Sequence, residues 1–159
     1  ARKVVAISSF IRGQLLSDIG VDSVVIPSVS DVFENDESEQ FSFDRGRDPS
    51  KSILMACALD VQQKGHLVAL DALAMIDDEW TITFFGDGPD KGLITNYIKS
   101  LGLNHRVQFC SWSDGLFVDC CKQHAFYLLP SLHEGLGSIL IDVMRLERPI
   151  IASRVGGIP

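Results

Sequence analysis

Two carboxylates and a lysine are the residues of this sequence whose types and spacing suit chemistry on an anionic ligand. Glu134 and Asp142 stand eight positions apart in the run Pro130-Ser131-Leu132-His133-Glu134-Gly135-Leu136-Gly137-Ser138-Ile139-Leu140-Ile141-Asp142-Val143-Met144. If the whole interval were helical, both would project toward roughly the same side, about 12 Å apart along the axis. The run reads as a buried strand ending at Pro130, a turn punctuated by glycines, and an amphipathic helix starting near Gly137. Unpaired amides at such a helix mouth make an anion site. An acidic residue at a helix start is also an ordinary cap, so spacing alone leaves Glu134 between cap and ligand contact, and Asp142 between site and solvent. Lys64, in Asp60-Val61-Gln62-Gln63-Lys64-Gly65, falls in the first turn of an expected helix. Cations are disfavoured there, so Lys64 is either a solvated side chain or the partner of a bound phosphate.

Two further loops carry candidates. Gly86-Asp87-Gly88-Pro89 allows a tight turn before a helix, but it lacks the third glycine of a dinucleotide fingerprint and the acidic residue expected after the next strand. Nicotinamide binding is therefore disfavoured. Trp112, in Ser111-Trp112-Ser113-Asp114, is open to three readings: core, lid, or a stacking surface for a base.

These candidates need elements to hold them. Apolar, β-branched or aromatic runs at 4–8, 24–27, 53–59, 81–85, 106–110, 125–130 and 149–153 read as strands. Helical periodicity fills the gaps at 64–78 (stripe Leu67, Leu70, Leu73, Ala74 and Met75 or Ile76), 91–101 (Ile94, Tyr97, Ile98, Leu101), 115–122 and 137–146. Continuous hydrophobic strands separated by single helices predict a doubly wound, Rossmann-like α/β domain, a parallel sheet with helices on both faces. In such sheets ligands bind beyond the carboxyl ends of the strands, where all four loops fall. Residues 31–52 are polar and break the rhythm, so they are expected to be a linker or surface loop. That divides the chain into a strand-helix-strand piece over 1–30 and a main unit over 53–159.

Composition bounds the rest. The chain has 159 residues, 46% hydrophobic, with a formal charge of −7, which fits a single core and argues against nucleic-acid or anionic-membrane binding. No apolar run approaches the roughly 20 residues of a membrane span and no secretory leader is visible, so a cytoplasmic protein is expected. The four cysteines lack metal or redox spacing and are expected to be reduced. His66, His105, His124 and His133 share no ligand-like spacing, so no metal is expected. His133 alone attracts interest, since it abuts Glu134.

Several motifs occur in a fixed order: 59–65, Phe85-Gly86-Asp87-Gly88-Pro89, Leu101-Gly102-Leu103, Val107-Gln108-Phe109, 130–137 with Glu134 and, eight residues on, Asp142, then Pro149-Ile150-Ile151-Ala152, and Val155-Gly156-Gly157-Ile158-Pro159. In that order they resemble the carboxy-terminal nucleotide-sugar-binding domain of family 4 glycosyltransferases, retaining enzymes of the GT-B fold. More weakly, 4–28 resembles the last strand, helix and strand of that family's amino-terminal, acceptor-binding domain. The resemblance implies a retaining glycosyltransferase fragment that binds a uridine or guanosine diphosphate sugar. It implies no cofactor, and an acceptor, glycan or lipid-linked, held by the missing domain, with the full-length enzyme at the cytoplasmic face of the membrane. The fragment by itself is expected to be inactive and truncated at its carboxyl end.

Position by position, the resemblance implies that Glu134 bonds the donor sugar's hydroxyls and that Asp142 holds the ribose hydroxyls. The amides of Gly135, Leu136, Gly137 and Ser138 would face the donor, Lys64 would charge its diphosphate, and Gly86 and Gly88 would lie beside it. Three positions depart from the family pattern. Ala58 stands where an arginine is usual. Asp142 replaces a glutamate, shortening the reach by about 1.5 Å, one bond. Arg145 and Glu147 replace a small residue and a glycine after the last helix. Ala58 supports an alternative reading, a noncatalytic donor-domain relative serving as a nucleotide-binding or scaffold module; Lys64 and Glu134 support the enzyme, which is preferred. A phosphoacceptor receiver-like domain fits poorly, since no acidic cluster meets an aspartate at a strand end.

Overall fold

The computed structural model describes residues 4–27, 48–112 and 117–159 of the chain. Most of the expected linker, together with Ser113, Asp114 and Gly115, lies outside the described residues. A 3-10 turn at Pro49–Lys51, capped by Asp48 onto the Ser50 amide at 2.8 Å, leads directly into the strand that begins at Ser52.

Strand β3 (Ser52–Ala56) is buried along its full length. It pairs in parallel with β4 (Thr81–Phe85) on one side and β6 (Phe126–Leu129) on the other; β5 (Val107–Cys110) and β7 (Ile150–Ala152) complete the order β5-β4-β3-β6-β7. Successive β3 residues serve opposite cores, as a period of two requires. Ile53 and Met55 face α3 (His66–Met75) and α4 (Lys91–Ser100), packing with Leu70, Leu73, Phe84 and Ile94. Leu54 and Ala56 face α5 (Phe117–Lys122) and α6 (Ile139–Arg145), packing with Phe85, Tyr127, Leu129 and Val143. The fold is therefore the expected parallel α/β sheet with helices on both faces. Because the chain leaves β3 toward β4 and later returns to β6 on its other side, the crevice between β3 and β6 is the topological switch point.

The helix expected over 64–78 begins later, at His66, and a separate short helix precedes it. A four-residue α2 (Val61–Lys64) ends at Gly65, whose φ of +69° breaks the helix before α3 begins. The new start resets the phase, so the buried stripe is His66, Ala69, Leu70 and Leu73, while Ala74, Met75 and Ile76 are exposed. Gly65 has a second reason to be glycine: a Cβ there would run into the Pro130 carbonyl oxygen across the crevice.

Residues 5–25 form a separate unit, β1 (Val5–Ala6), α1 (Ser9–Ile19) and β2 (Val24–Val25), with the two strands paired in parallel. Both strands are shorter than the apolar runs suggest, and Val5, Leu16, Ile19, Val24 and Ile26 remain exposed.

Several buried polar groups in the main unit are bonded in ways that fix their states. His124 donates from Nδ1 to the Cys120 carbonyl (2.6 Å), so its Nε2 accepts from the Thr83 hydroxyl (2.8 Å). Arg106, 1% exposed, gathers the chain after α3 by donating to the Asp77 and Trp80 carbonyls at 2.6 and 2.8 Å. Helix α6 closes in a Schellman arrangement, Glu147 N to Met144 O at 2.9 Å and Arg148 N to Val143 O at 3.3 Å. Glu147, the position already marked as departing from a usual glycine, is the only non-glycine among the described residues with positive φ, +56°. A side chain there costs more than the backbone entropy of a glycine, so Glu147→Gly should raise unfolding free energy by about 1 kcal/mol in urea titration. Glu147→Ala should give no gain.

Candidate functional site

Two loops meet at the switch point, and their backbones are tied before any side chain is considered. The Gln63 carbonyl, at the end of α2, accepts from the amides of Leu132 (2.7 Å) and His133 (3.3 Å). Helix α2 is in turn clamped at its start. The Asp60 carboxylate accepts from Gln62 and Gln63 amides (3.0 and 3.1 Å), and Asp90 accepts from the Val61 amide (2.9 Å). Short as it is, α2 is thereby held from both ends.

The result is a direct ion pair between Lys64 Nζ and Glu134 Oε1. The same carboxylate oxygen accepts from Ser131 Oγ at 3.0 Å. The side chains are 18% and 10% exposed, so each charge is partly desolvated and depends on the other. Lys64 occupies the last position of α2, where a cation is favoured, and not the first turn of a helix. Its placement therefore needs no bound anion to explain it. Glu134 caps no helix: α6 begins at Ile139, with Ser138 at the cap position, and Glu134 faces Lys64.

The pair lines a cleft of about 250 Å³, with Ala58, Gly137, Ser138 and Ile139 beside it and Trp112 at its wall. Lys64 is the only cation among the described residues lining it. Trp112 is half exposed, set edge-on to Phe85 with ring centroids 4.7 Å apart and tilted against Phe117 at 5.8 Å. It is thus anchored at its edge while offering surface to the cleft. Arg154 is exposed and lines neither this cleft nor the next, so it does not stand in for the arginine missing at Ala58. A second cleft of about 240 Å³ lies between α1 and the same loop, lined by Ile11, Gln14, Gln63, His133, Glu134 and Gly135 among others. Glu134 is common to both.

Asp142 sits one turn into α6 from Ser138, 1% exposed, and its Oδ1 has no hydrogen-bond partner. Residues 134–138 are not helical, so the 12 Å axial spacing expected for Glu134 and Asp142 does not apply. Gly86 and Gly88 form the β4–α4 turn, packed against the backbone of Cys57 and Leu59. The Leu59 amide donates to the Asp87 carbonyl (3.0 Å), so this turn braces the loop that carries Lys64. Gly156 and Gly157 lie against the backbone of Glu134 and Gly135. Among the described residues no group of His, Cys, Asp or Glu could hold a metal, and no helix is long and apolar enough to cross a membrane. All four cysteines are free thiols. Burial pushes the Cys57 thiol up to about 12, so it is no nucleophile near neutral pH.

Sequence reasoning passed over Ser131, Ser8 and Gln63. Ser131 stands three residues before Glu134, close enough for its hydroxyl to be anticipated as a carboxylate donor. The Gln63 carbonyl is a backbone group and left no signal in residue type.

Residues 50–159 match the profile of the family described as "Glycosyl transferases group 1". The chain belongs to that family. Over 156 residues, 98% of its length, this group 1 chain is 26% identical to an uncharacterised glycosyltransferase of Methanocaldococcus jannaschii, covering 41% of that relative. It is 29% identical over 97 residues to the lipopolysaccharide core biosynthesis glycosyltransferase LpsD of Rhizobium meliloti, covering 61% of this chain and 28% of that one. Among solved structures, Anabaena HepE, in complex with UDP and glucose, superposes with a TM-score of 0.78 at 19% identity over 99% of this chain and 46% of HepE. The chain thus spans less than half the length of these relatives, and its fold is that of one half of a GT-B glycosyltransferase.

His66 gives the fold around this group 1 site a pH-dependent stability. It opens α3 two residues beyond Lys64, is wholly buried, and packs edge-on to Phe84 at 5.2 Å. Burial pushes its pKa down from 6.5 to about 4. Between those values the unfolded chain binds the proton that the folded chain refuses. The stabilising contribution is complete above pH 6.5 and is lost as pH falls toward 4. The urea midpoint should fall over that window, and more steeply for the wild type than for His66→Gln.

Proposed function

We propose that this chain is the donor-binding part of a retaining, family 4 glycosyltransferase that takes a uridine or guanosine diphosphate sugar and, in the full-length enzyme, transfers the sugar to a glycan or lipid-linked acceptor. The observation that carries the reading is the Lys64–Glu134 pair at the switch point, set in a cleft with Trp112 at its wall. A nucleotide sugar has three parts that these groups suit in turn. The base lies on the half-exposed face of Trp112. The diphosphate meets the Lys64 ammonium and the backbone around Gly137 and Ser138. The sugar meets Glu134, whose carboxylate accepts from its hydroxyls. Family membership, the GT-B fold, and the UDP and glucose bound by HepE support the choice of ligand class.

Chemistry then follows from charge. Departure of the nucleoside diphosphate leaves negative charge on phosphate oxygen, and Lys64 is held where that charge forms. Glu134 loses its cation to the phosphate and gains sugar hydroxyl donors, so its own negative charge stays compensated. No protein nucleophile is assigned; the donor phosphate oxygen takes the acceptor's proton as attack proceeds on the same face. Asp142 accepts from the ribose, which would satisfy its unpartnered oxygen. Because Asp142 is buried and lines neither cleft, a water carries that contact, donating to the carboxylate and bonding the ribose hydroxyl on its other side. The acceptor enters from the second cleft, so that Glu134 stands between the two substrates.

Ala58 favours the second reading, a nucleotide-binding or scaffold module without turnover. With one cation among the described residues of the cleft, diphosphate binding is weaker than a lysine and arginine together would make it.

Calorimetry with UDP and UDP-glucose, and with GDP and GDP-mannose, tests the proposal. Binding in the micromolar to millimolar range is expected, with Lys64→Ala losing tenfold or more for both forms of the preferred nucleotide, about 1.4 kcal/mol. Glu134→Gln separates the parts: it should weaken the sugar nucleotide yet spare or tighten the plain nucleotide, because it removes a competitor for Lys64. Equal losses for both ligands would refute the sugar contact. Absence of binding at millimolar concentration would refute donor binding.

A further inference from the structure

The hydroxyl of Ser8 makes two bonds that belong to different parts of the molecule. As the cap of α1 it accepts from the Ile11 amide at 3.2 Å, and it donates to the Gly135 carbonyl at 2.6 Å, 127 residues away. Ser8 is 6% exposed, so its single donor and one of its two acceptor sites are used away from water. The contact around it is close. Gly135 lies under Ile7 and Ile11, and a Cβ at Gly135 would sit 3.1 Å from the Ile7 Cδ1 and 3.7 Å from that of Ile11. On its other side Gly135 packs against the backbone of Gly157.

We infer that Ser8 is a positioning residue for the site, its hydroxyl fixing the Gly135 carbonyl and so setting Glu134 against Lys64. The inference rests on the proposed reading of Glu134 as the sugar contact. The peptide that carries the Gly135 carbonyl begins one residue after Glu134, so a change in its direction turns the Glu134 side chain relative to the cleft. The Glu134 carbonyl is held separately by close packing of Gly156 and by the Gly157 amide; Gly157 also packs against the Gly135 carbonyl, to which Ser8 adds a directed hydrogen bond. The same hydroxyl sets the start of α1, and Ile11 and Gln14 of that helix form a wall of the second cleft. Through one atom, the wall facing one substrate and the carboxylate facing the other are kept in a fixed relation.

Three substitutions separate positioning from helix capping. Ser8→Ala loses both bonds. Ser8→Asp keeps an acceptor for the α1 amide but has no proton for a carbonyl. Ser8→Thr keeps both. Amide hydrogen exchange over 134–138 should quicken about tenfold in Ser8→Ala and Ser8→Asp and return toward the wild-type rate in Ser8→Thr, the scale of one lost hydrogen bond. In parallel, affinity for UDP-glucose (or GDP-mannose, if that is the nucleotide bound) should fall several-fold in the first two variants, with the plain nucleotide unchanged within twofold. Loop exchange unchanged in Ser8→Ala, or restored by Ser8→Asp, would overturn the inference and leave Ser8 as a cap alone. If the wild-type chain binds no nucleotide, the proposed function fails, while the exchange rates still decide whether Ser8 holds the loop.

Discussion

A lysine and a glutamate seventy positions apart form an ion pair only if two backbones are brought together first, and the closure of the β3 and β6 loops on each other does that. The Gln63 carbonyl takes two amides from the opposite loop, and Gly65 lets the Pro130 carbonyl approach where a Cβ would block it. Lys64 is the residue between those two contacts, and Glu134 follows directly after the second amide. Everything proposed for the site depends on this closure. If Gly65 carried a side chain, the loops would part and the charges would each be left partly desolvated without a partner.

Other parts of the fold support the closure from outside. The β4–α4 turn braces the loop before α2 through Leu59 and Asp87, and Asp60 and Asp90 hold the α2 amides. Gly156 and Gly157 pack against the backbone of Glu134 and Gly135 from the carboxyl end of the chain, and Ser8 bonds the Gly135 carbonyl from the amino end. Segments from all parts of the described chain thus converge on the two loops at 59–65 and 130–135. The two buried faces of β3 supply the rigidity against which those loops are set.

Much of this was legible in the sequence because it is written in local pattern. A strand such as Ile53 to Ala56, apolar at every position, can only be buried on both faces, and the alternation with helices then dictates a parallel sheet and a site at its carboxyl edge. Gly102, at φ +71°, ends α4 where its type says it should. The phase of α3 was not legible, because Gly65 inside an apolar-periodic run reads as a tolerated residue until its positive φ is known. The environment of Lys64 was misjudged for the same reason: one break converts an unfavourable helix start into a favourable helix end. The contacts of Ser8 and Asp142 were hidden differently, since neither a bond across 127 residues nor an orphaned carboxylate oxygen leaves a trace in spacing.

The central claim is that the Lys64–Glu134 crevice at the switch point is where a nucleotide sugar sits. Amide and side-chain NMR shifts of the labelled chain, followed as UDP-glucose and GDP-mannose are added in turn, test it most directly. The account predicts that the nucleotide sugar that binds gives saturable shifts clustered at Ala58, Lys64, Glu134, Ser138 and Trp112, with the α3 and α4 faces silent. Shifts clustered on another surface, or none at millimolar concentrations of either, would contradict it.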